Sequence, residues 1–317
     1  MTRIAIELSP PDIESHRRSS TGVDFVHTYE SGRPGPHVMV NAVTHGNEIC
    51  GAIAVDRLLR MGVRPARGTL TLSFANIEAF ARFDPKRPYA TRFIDEDFNR
   101  VWNAQTLDGP RDSVELRRAR ELRPFVEAAD YLLDIHSMLE PSPPVMICGP
   151  LEKGIGFAFS VGIPQYVVSD EGHANGTRMR DFEGFGHPAS GKNALLVECG
   201  QHWERAAGIV AWQTVWRFLR FLETVDAGLA AREIDAAAPA PQRLVRVTEA
   251  VVARSPAFRF AREFAGMEVV PRAGDVIAYD GEETVRAPYD NCVLVMPVPN
   301  NVKTGLTAVR FGRIERQ

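Results

Sequence analysis

Three short apolar runs constrain this chain more than any other feature, because each ends in a residue that can bind a metal or move a proton. Val38-Met39-Val40-Asn41-Ala42-Val43 leads into Thr44-His45-Gly46-Asn47-Glu48. Ala129-Asp130-Tyr131-Leu132-Leu133 leads into Asp134-Ile135-His136, and Asn193-Ala194-Leu195-Leu196-Val197 leads into Glu198-Cys199-Gly200. Runs of this length read as buried strands. Helical patterns fall between and beyond them. Glu48–Arg60 repeats apolar residues at Ile49, Ile53, Val55, Leu58 and Leu59. Val114–Ala128 carries Arg and Glu, expected on its wet face, and Ala206–Leu222 spaces Trp212, Trp216 and Phe221 for packing. Further strands are expected at Val23–Tyr29, as an edge, at Gly68–Phe74 and at Gln165–Ser169. Strands alternating with helices predict an α/β fold, a mixed, mostly parallel sheet with helices on both faces. In such sheets sites form beyond the carboxyl ends of the strands, which is where the three runs deliver their reactive residues.

The local chemistry of the first run is the most specific. His45 and Glu48 are three residues apart, and in a helical or tight-turn backbone such a pair points one way and can reach one ion. An imidazole and a carboxylate are ordinary zinc ligands, and a catalytic zinc takes three protein ligands plus water. His136, at the end of the second run, is the candidate for the third. Glu198 closes the third run with a group able to move protons. The expected cofactor is one zinc ion per chain, held by His45, Glu48 and His136.

Composition shifts near the carboxyl end. Ala236-Ala-Ala-Pro-Ala-Pro-Gln242 reads as a linker, and short β-like runs follow at Leu244–Val252, Val276–Tyr279, Val293–Pro297 and Ala308–Phe311. The expected organisation is a catalytic domain over 1–235, a linker over 236–242 and a small all-β C-terminal domain over 243–317. A formal charge of −3 over 317 residues, without a basic stripe, excludes an electrostatic footprint for nucleic acid. Met1-Thr-Arg-Ile-Ala-Ile-Glu has no apolar secretory core, and no run approaches the roughly 18 apolar residues of a membrane helix. Cys50, Cys148, Cys199 and Cys292 are scattered, which favours reduced thiols and a cytoplasmic location without membrane attachment.

Four motifs in order, His45-Gly46-Asn47-Glu48, Asp97-Phe98-Asn99-Arg100, Asp134-Ile135-His136 and Val197-Glu198-Cys199-Gly200, resemble the aspartoacylase/succinylglutamate desuccinylase family of the zinc-carboxypeptidase-like superfamily. The resemblance covers roughly residues 37–222, and the β region is similar to the family's C-terminal domain. It implies His45, Glu48 and His136 as zinc ligands and Glu198 as the general base that activates water and then protonates the leaving amine. It implies Arg92 as the cation that stabilises the developing oxyanion, and Asn99 and Arg100 as the pair that holds the substrate carboxylate. Asp97 is implied as the acid that orients one histidine ligand. One family arginine, which reads a second carboxylate from the segment before the catalytic glutamate, has no counterpart at matching spacing. Arg178, Arg180 and Lys192 are the nearby basic residues, in or beside an expected Gly-rich loop over 172–192. The resemblance therefore stops short of N-acetylaspartate and succinylglutamate as substrates.

The implied activity is zinc-dependent hydrolysis of the amide of an N-acyl amino acid or similar small amide. The alternatives are a metallocarboxypeptidase acting on short peptides and a catalytically silent metabolite-binding module. The partner is a small molecule, and homo-oligomerisation is left open. His16, His27, His37, His173, His187 and His202 are expected on the surface or in loops, with His202 the one nearest the site. Trp203, Trp212 and Trp216 are expected in the core, Cys199 as a buried structural thiol, and Tyr289 outside the pocket.

Overall fold

The computed structural model describes residues 5–172, 175–300 and 302–316. Its main sheet contains β1 (Val26–Glu30), β2 (His37–Ala42), β3 (Thr69–Phe74), β4 (Tyr131–Met138), β5 (Val145–Ile147), β6 (Tyr166–Ser169) and β7 (Asn193–Gln201). Strands β2, β3, β4 and β7 are parallel neighbours. β1 closes one edge antiparallel to β3. On the far side of β7 comes β5, antiparallel to it, and β6, parallel to β5. The sheet is therefore mixed and mostly parallel over β1 to β7.

Helices cover both faces. Alternation along the strands decides which residue meets which layer. Val38, Val40, Ala42, Leu133, Ile135, Leu195 and Val197 face α1 (Ile49–Arg60), α5 (Glu152–Val161) and α6 (Arg205–Phe221) in one core. Met39, Leu132 and Ala194 face the opposite layer, with α4 (Val114–Ala128) and the segment around Phe98–Trp102. Short helices α2 (Ile77–Ala81), α3 (Ala104–Leu107) and α7 (Ala227–Glu233) complete the layers. No described helix is long and apolar enough to cross a membrane.

Beyond residue 242 the described chain is all β, as β8 (Arg243–Val252), β9 (Arg259–Phe260), β10 (Glu268–Val270), β11 (Val276–Asp280), β12 (Glu283–Arg286), β13 (Cys292–Val295) and β14 (Thr307–Arg316). β8 pairs with β6 in parallel, so the main sheet continues through β8, β14, β13 and β10 to eleven strands. β9, β11 and β12 form a separate three-stranded sheet. The β region thus shares backbone hydrogen bonds with the preceding part of the sheet.

One expectation about α4 is corrected. Glu115 and Arg118 are buried instead of facing water. Glu115 accepts from the backbone N–H groups of Ile94, Asp95 and Glu96 at 2.7, 3.0 and 3.2 Å. Arg118 donates to the carbonyls of Ala75, Phe74 and Asp24, each at 2.9 Å. Buried charges persist where such partners satisfy them.

Candidate active site

The first ligand loop is built by local strain and close packing. Val43 leaves β2 in the left-handed region, φ 63°, which costs energy for a β-branched residue and is tolerated where surrounding structure demands it. Gly46 follows, where a Cβ would lie 2.4 Å from the Ala79 backbone carbon and 2.5 Å from the Thr91 carbonyl oxygen. Glycine alone fits there. The turn brings Glu48 to the first residue before α1, beneath His45.

His45 Nδ1 lies 2.7 Å from Glu48 Oε1, and His136 Nδ1 lies 2.9 Å from Glu48 Oε2. One ligand atom from each of the three residues falls within 4.8 Å of the others, and all three residues are buried. The far nitrogens are held as well. His45 Nε2 sits 2.9 Å from Asp97 Oδ1, and His136 Nε2 sits 2.7 Å from Asp134 Oδ2. Asp134 in turn accepts from Asn41 and Thr44, each at 2.8 Å. Each imidazole can therefore donate from Nε2 to a carboxylate and keep a lone pair on Nδ1, the tautomer a metal needs.

The charges support the same conclusion. Burial pushes the Glu48 carboxyl up, yet His45 and His136 outweigh it and hold Glu48 well below its ordinary range. For His136 burial opposes the charged form, and Asp134 and Glu48 overcome it. This cluster calls for positive charge between its imidazoles and carboxylates. A divalent cation meets that demand with the donor set zinc prefers, so the residues fit the implied metal.

Glu198 stands beside His136, its register partner across β4 and β7. It is 8% exposed, and its Oε2 has no hydrogen-bond partner among the described residues. Burial pushes its carboxyl up to about 8, helped by Glu48 and opposed by His136 and Arg92. Two neighbouring carboxylates driven in opposite directions are the usual mark of divided acid–base roles.

The segment 92–100 forms the opposite wall. Arg92 reaches Asp97 Oδ2 and Glu48 Oε1, each at 3.4 Å, with its other contact at His45 Nε2, 2.9 Å away. Asn99 Oδ1 accepts from the Met179 N–H at 2.9 Å, which leaves the side-chain NH₂ to donate. Arg100 donates to the Asn99 carbonyl at 2.7 Å and is pushed down to about 10, mainly by burial, so it stays cationic at neutral pH. All eight site residues read from the sequence line one cavity of about 520 Å³.

Several residues in or behind the cavity wall were not assigned from the sequence. Asp134 lay inside a quoted motif without a role, although its spacing of two from His136 puts both on one strand face. Asp134 stands behind His136, whereas Arg178, Asp170 and Arg310 line the cavity itself. Arg178 forks onto Asp170 at 2.7 and 3.2 Å, and Arg310 Nε lies 3.6 Å from Asp170. No local pattern marks Arg310, which arrives on β14 from the far end of the chain. His202 is buried in the cavity wall, with Ser137 Oγ 2.8 Å from its Nδ1. Burial lowers it to about 3, so it is neutral.

The other histidines divide. His187 is exposed as expected, whereas His16, His27 and His37 are half-buried along the β1–β3 edge, with His16 bonded to Asp56 and His37 to Thr71. His173 lies outside the described residues. Trp203 is buried, its Nε1 donating to the Asn47 carbonyl. Tyr289 packs away from the cavity, bonded to Thr248 and stacked under Arg313. Cys199 faces the helical core on the side of β7 opposite Glu198, and burial raises its thiol well above the usual range.

A mixed, mostly parallel sheet with helices on both faces and a buried His-Glu-His cluster at its carboxyl edge defines an α/β protein with a candidate metal centre. The succinylglutamate desuccinylase/aspartoacylase catalytic-domain model matches residues 34–205, more than half of the chain. The chain belongs to that family. An N-acyl-aromatic-L-amino acid amidohydrolase (carboxylate-forming) of Rattus norvegicus is 32% identical over 120 residues, 34% of this chain and 35% of the rat protein. A succinylglutamate desuccinylase of Pseudoalteromonas atlantica is 26% identical over 190 residues, 52% of this chain and 49% of that protein. The chain thus spans about a third and about half of the curated relatives it matches. Among solved structures, a succinylglutamate desuccinylase/aspartoacylase from Rhodobacter sphaeroides superposes with TM-score 0.66 at 16% identity, over 93% of this chain and 90% of that one, a likeness of fold.

Proposed function

We propose that this chain is a zinc-dependent amidohydrolase that cleaves the amide of an N-acyl amino acid or similar small amide into a carboxylic acid and an amine. The observation that carries this reading is the buried His45–Glu48–His136 cluster, with a carboxylate behind each imidazole and a proton-poised Glu198 beside it. Names of two relatives, one an amidohydrolase and one a desuccinylase, support amide hydrolysis.

His45, Glu48 and His136 would hold one zinc ion, which supplies Lewis acidity toward the scissile carbonyl and acidifies water at neutral pH. Glu198 takes the proton of the attacking water at its carboxylate and then gives it to the leaving nitrogen, a contribution of roughly 10²–10⁴-fold. Arg92, the guanidinium nearest the cluster, donates to the carbonyl oxygen as negative charge builds, an interaction that strengthens toward the transition state. Asn99 donates from its side-chain NH₂ and Arg100 from its planar fork to the amino-acid carboxylate. Asp97 and Asp134 fix the two imidazoles, and the apolar walls exclude water from the reacting bond.

Residues 1–235 are proposed as the catalytic domain and 243–317 as a β domain that narrows the mouth, joined through 236–242. The four cysteines are free and buried, which suits a reducing compartment, and the cytoplasm is the proposed location. The test is amine release from a panel of N-acyl amino acids by the zinc-loaded protein, with short peptides in parallel. Turnover of the acylated amino acids, lost on chelation and restored by zinc, is expected. Turnover of peptides alone would replace this reading with a carboxypeptidase.

A further inference from the structure

Among the described residues, three buried side-chain atoms in the wall of the cavity lack a hydrogen-bond partner: Glu198 Oε2, Asn47 Oδ1 and His202 Nε2. Buried polar groups in native proteins nearly always find partners, so an orphan marks a place for a water or a ligand. The proposed reaction gives Glu198 a proton to move. It gives Asn47 and His202 nothing, although they are 2% and 1% exposed.

The sheet order puts these two orphans on one side of Glu198. Asn47 follows β2, and His202 follows β7 but is tied back to β4. Its backbone N–H donates to the Met138 carbonyl at 2.9 Å, and its Nδ1 lies 2.8 Å from Ser137 Oγ. Trp203 Nε1 donates to the Asn47 carbonyl at 3.2 Å, and Tyr89 packs edge-on against Trp203. The Tyr89 hydroxyl is raised by burial and by the nearby charge of Glu140, so an acid stands at this end. Beyond β7 on the other side come β6 and β14, which bring Asp170 and Arg310 together with Arg178. Arg100 lies against this group, since a Cβ on Gly176 would sit 2.3 Å from its carbonyl oxygen. Asn175 Nδ2 donates to the Gly305 carbonyl at 3.1 Å, in the turn closed between Lys303 and Leu306. Apart from Arg92, the cations of the cavity (Arg100, Arg178, Lys303 and Arg310) therefore gather at the end away from His202.

Resting on the proposed reading, in which Arg92 takes the scissile carbonyl and Glu198 serves its nitrogen, we infer that Asn47 and His202 form an acyl-group subsite for a short acyl chain bearing a neutral hydroxyl. The amino-acid half is drawn to the cationic end, because its carboxylate goes to Asn99 and Arg100. The acyl chain leaves the carbonyl on the side away from the nitrogen, toward His202. Asn47 Oδ1 can only accept a hydrogen bond. A neutral imidazole carries one N–H, and when the Ser137 hydroxyl donates to Nδ1 that N–H is on Nε2. One hydroxyl answers both orphans, donating to Asn47 Oδ1 and accepting from His202 Nε2. A carboxylate has no proton for Asn47 and meets Glu140 at this end, with the cations at the other. An alkyl chain leaves both atoms buried and unpaired, which is unfavourable.

The test uses the full chain, zinc-loaded, and two pairs of N-acyl-L-alanines in which a methyl replaces the hydroxyl: glycolyl against propionyl, and β-hydroxypropionyl against butyryl. The hydroxylated member of at least one pair should be hydrolysed with kcat/KM about 10- to 100-fold higher. His202→Asn keeps a nitrogen toward Ser137 and removes the one at Nε2, and it should shrink that ratio about tenfold. His202→Gln keeps a nitrogen near Nε2 and gives up the Ser137 contact, and it should retain most of the ratio. The opposite pattern in the two variants would assign the effect to Ser137 and overturn the subsite. Calorimetric binding of the same amides to zinc-loaded Glu198→Gln protein reads the subsite without turnover and should follow the same order. That binding order with no turnover of any amide by the wild type would uphold the subsite and overturn the amidohydrolase reading. Turnover at equal rates within both pairs, or a preference untouched by His202→Asn, would overturn the subsite and leave the amidohydrolase reading standing.

Discussion

Each of the two imidazoles is clamped between carboxylates, His45 between Glu48 and Asp97 and His136 between Glu48 and Asp134. Asp134→Asn keeps the shape but weakens the acceptor, and it should lower zinc affinity by roughly 10–100-fold, measured by competition with a chelator. Glu198→Gln should abolish turnover while leaving zinc stoichiometry at one. It should also change stability in a direction fixed by linkage. The Glu198 carboxyl is raised in the folded protein, so its stabilising contribution is complete below the unfolded value and is lost as pH rises toward about 8. Metal-free Glu198→Gln should therefore gain on the wild type between about pH 4.5 and 8, by up to about 1.4 kcal/mol per pH unit. Denaturant unfolding of the two metal-free proteins at pH 5 and pH 8 measures this, and a constant difference would contradict it. The ligands were legible in the sequence because each closes an apolar run or sits three residues from its partner. Asp170, Arg310 and His202 were not, because their places depend on which strands become neighbours.

At the scale of elements, the cavity wall 92–100 owes its shape to a helix end. Glu115 accepts three consecutive backbone N–H groups of residues 94–96, while Asp95 accepts from the Val114 N–H and Ser113 donates to Glu96. Each buried donor stripped of its acceptor costs about 1–3 kcal/mol. Glu115→Ala should therefore destabilise the protein by roughly 3 kcal/mol or more, speed amide exchange at Ile94, Asp95 and Glu96, and raise KM through Asn99 and Arg100. Unchanged exchange there would show that the wall holds itself. Helix and strand positions were legible from apolar periodicity: α4 runs over Val114–Ala128 as read, and α6 begins one residue before the predicted Ala206. Which charges on α4 were buried was not legible, since periodicity treats Glu115 and Arg118 as surface groups and only the packed loop supplies their partners.

For the whole molecule, the β region is hydrogen-bonded into the main sheet through the β6–β8 pair. Removing residues 243–317 would expose the β6 edge and uncover Val168, Leu196 and Ile147, which pack with Val245, Val293 and Val295. Unpaired edges and uncovered apolar rows promote association, so the truncated chain should aggregate, as light scattering would report; a soluble, zinc-binding 1–242 fragment would refute this. The sequence showed β content after the linker as well as the parallel sheet before it. It did not show that one sheet runs through both, because pairing between distant strands leaves no local pattern. The central claim is that two histidines and one glutamate grip a single divalent ion at the sheet's carboxyl edge. Anomalous diffraction at the zinc edge from crystals of the zinc-loaded protein tests it most directly. One peak is expected, within about 2.0–2.2 Å of His45 Nδ1, His136 Nδ1 and a Glu48 oxygen; no peak there, or full occupancy at another site alone, would contradict the account.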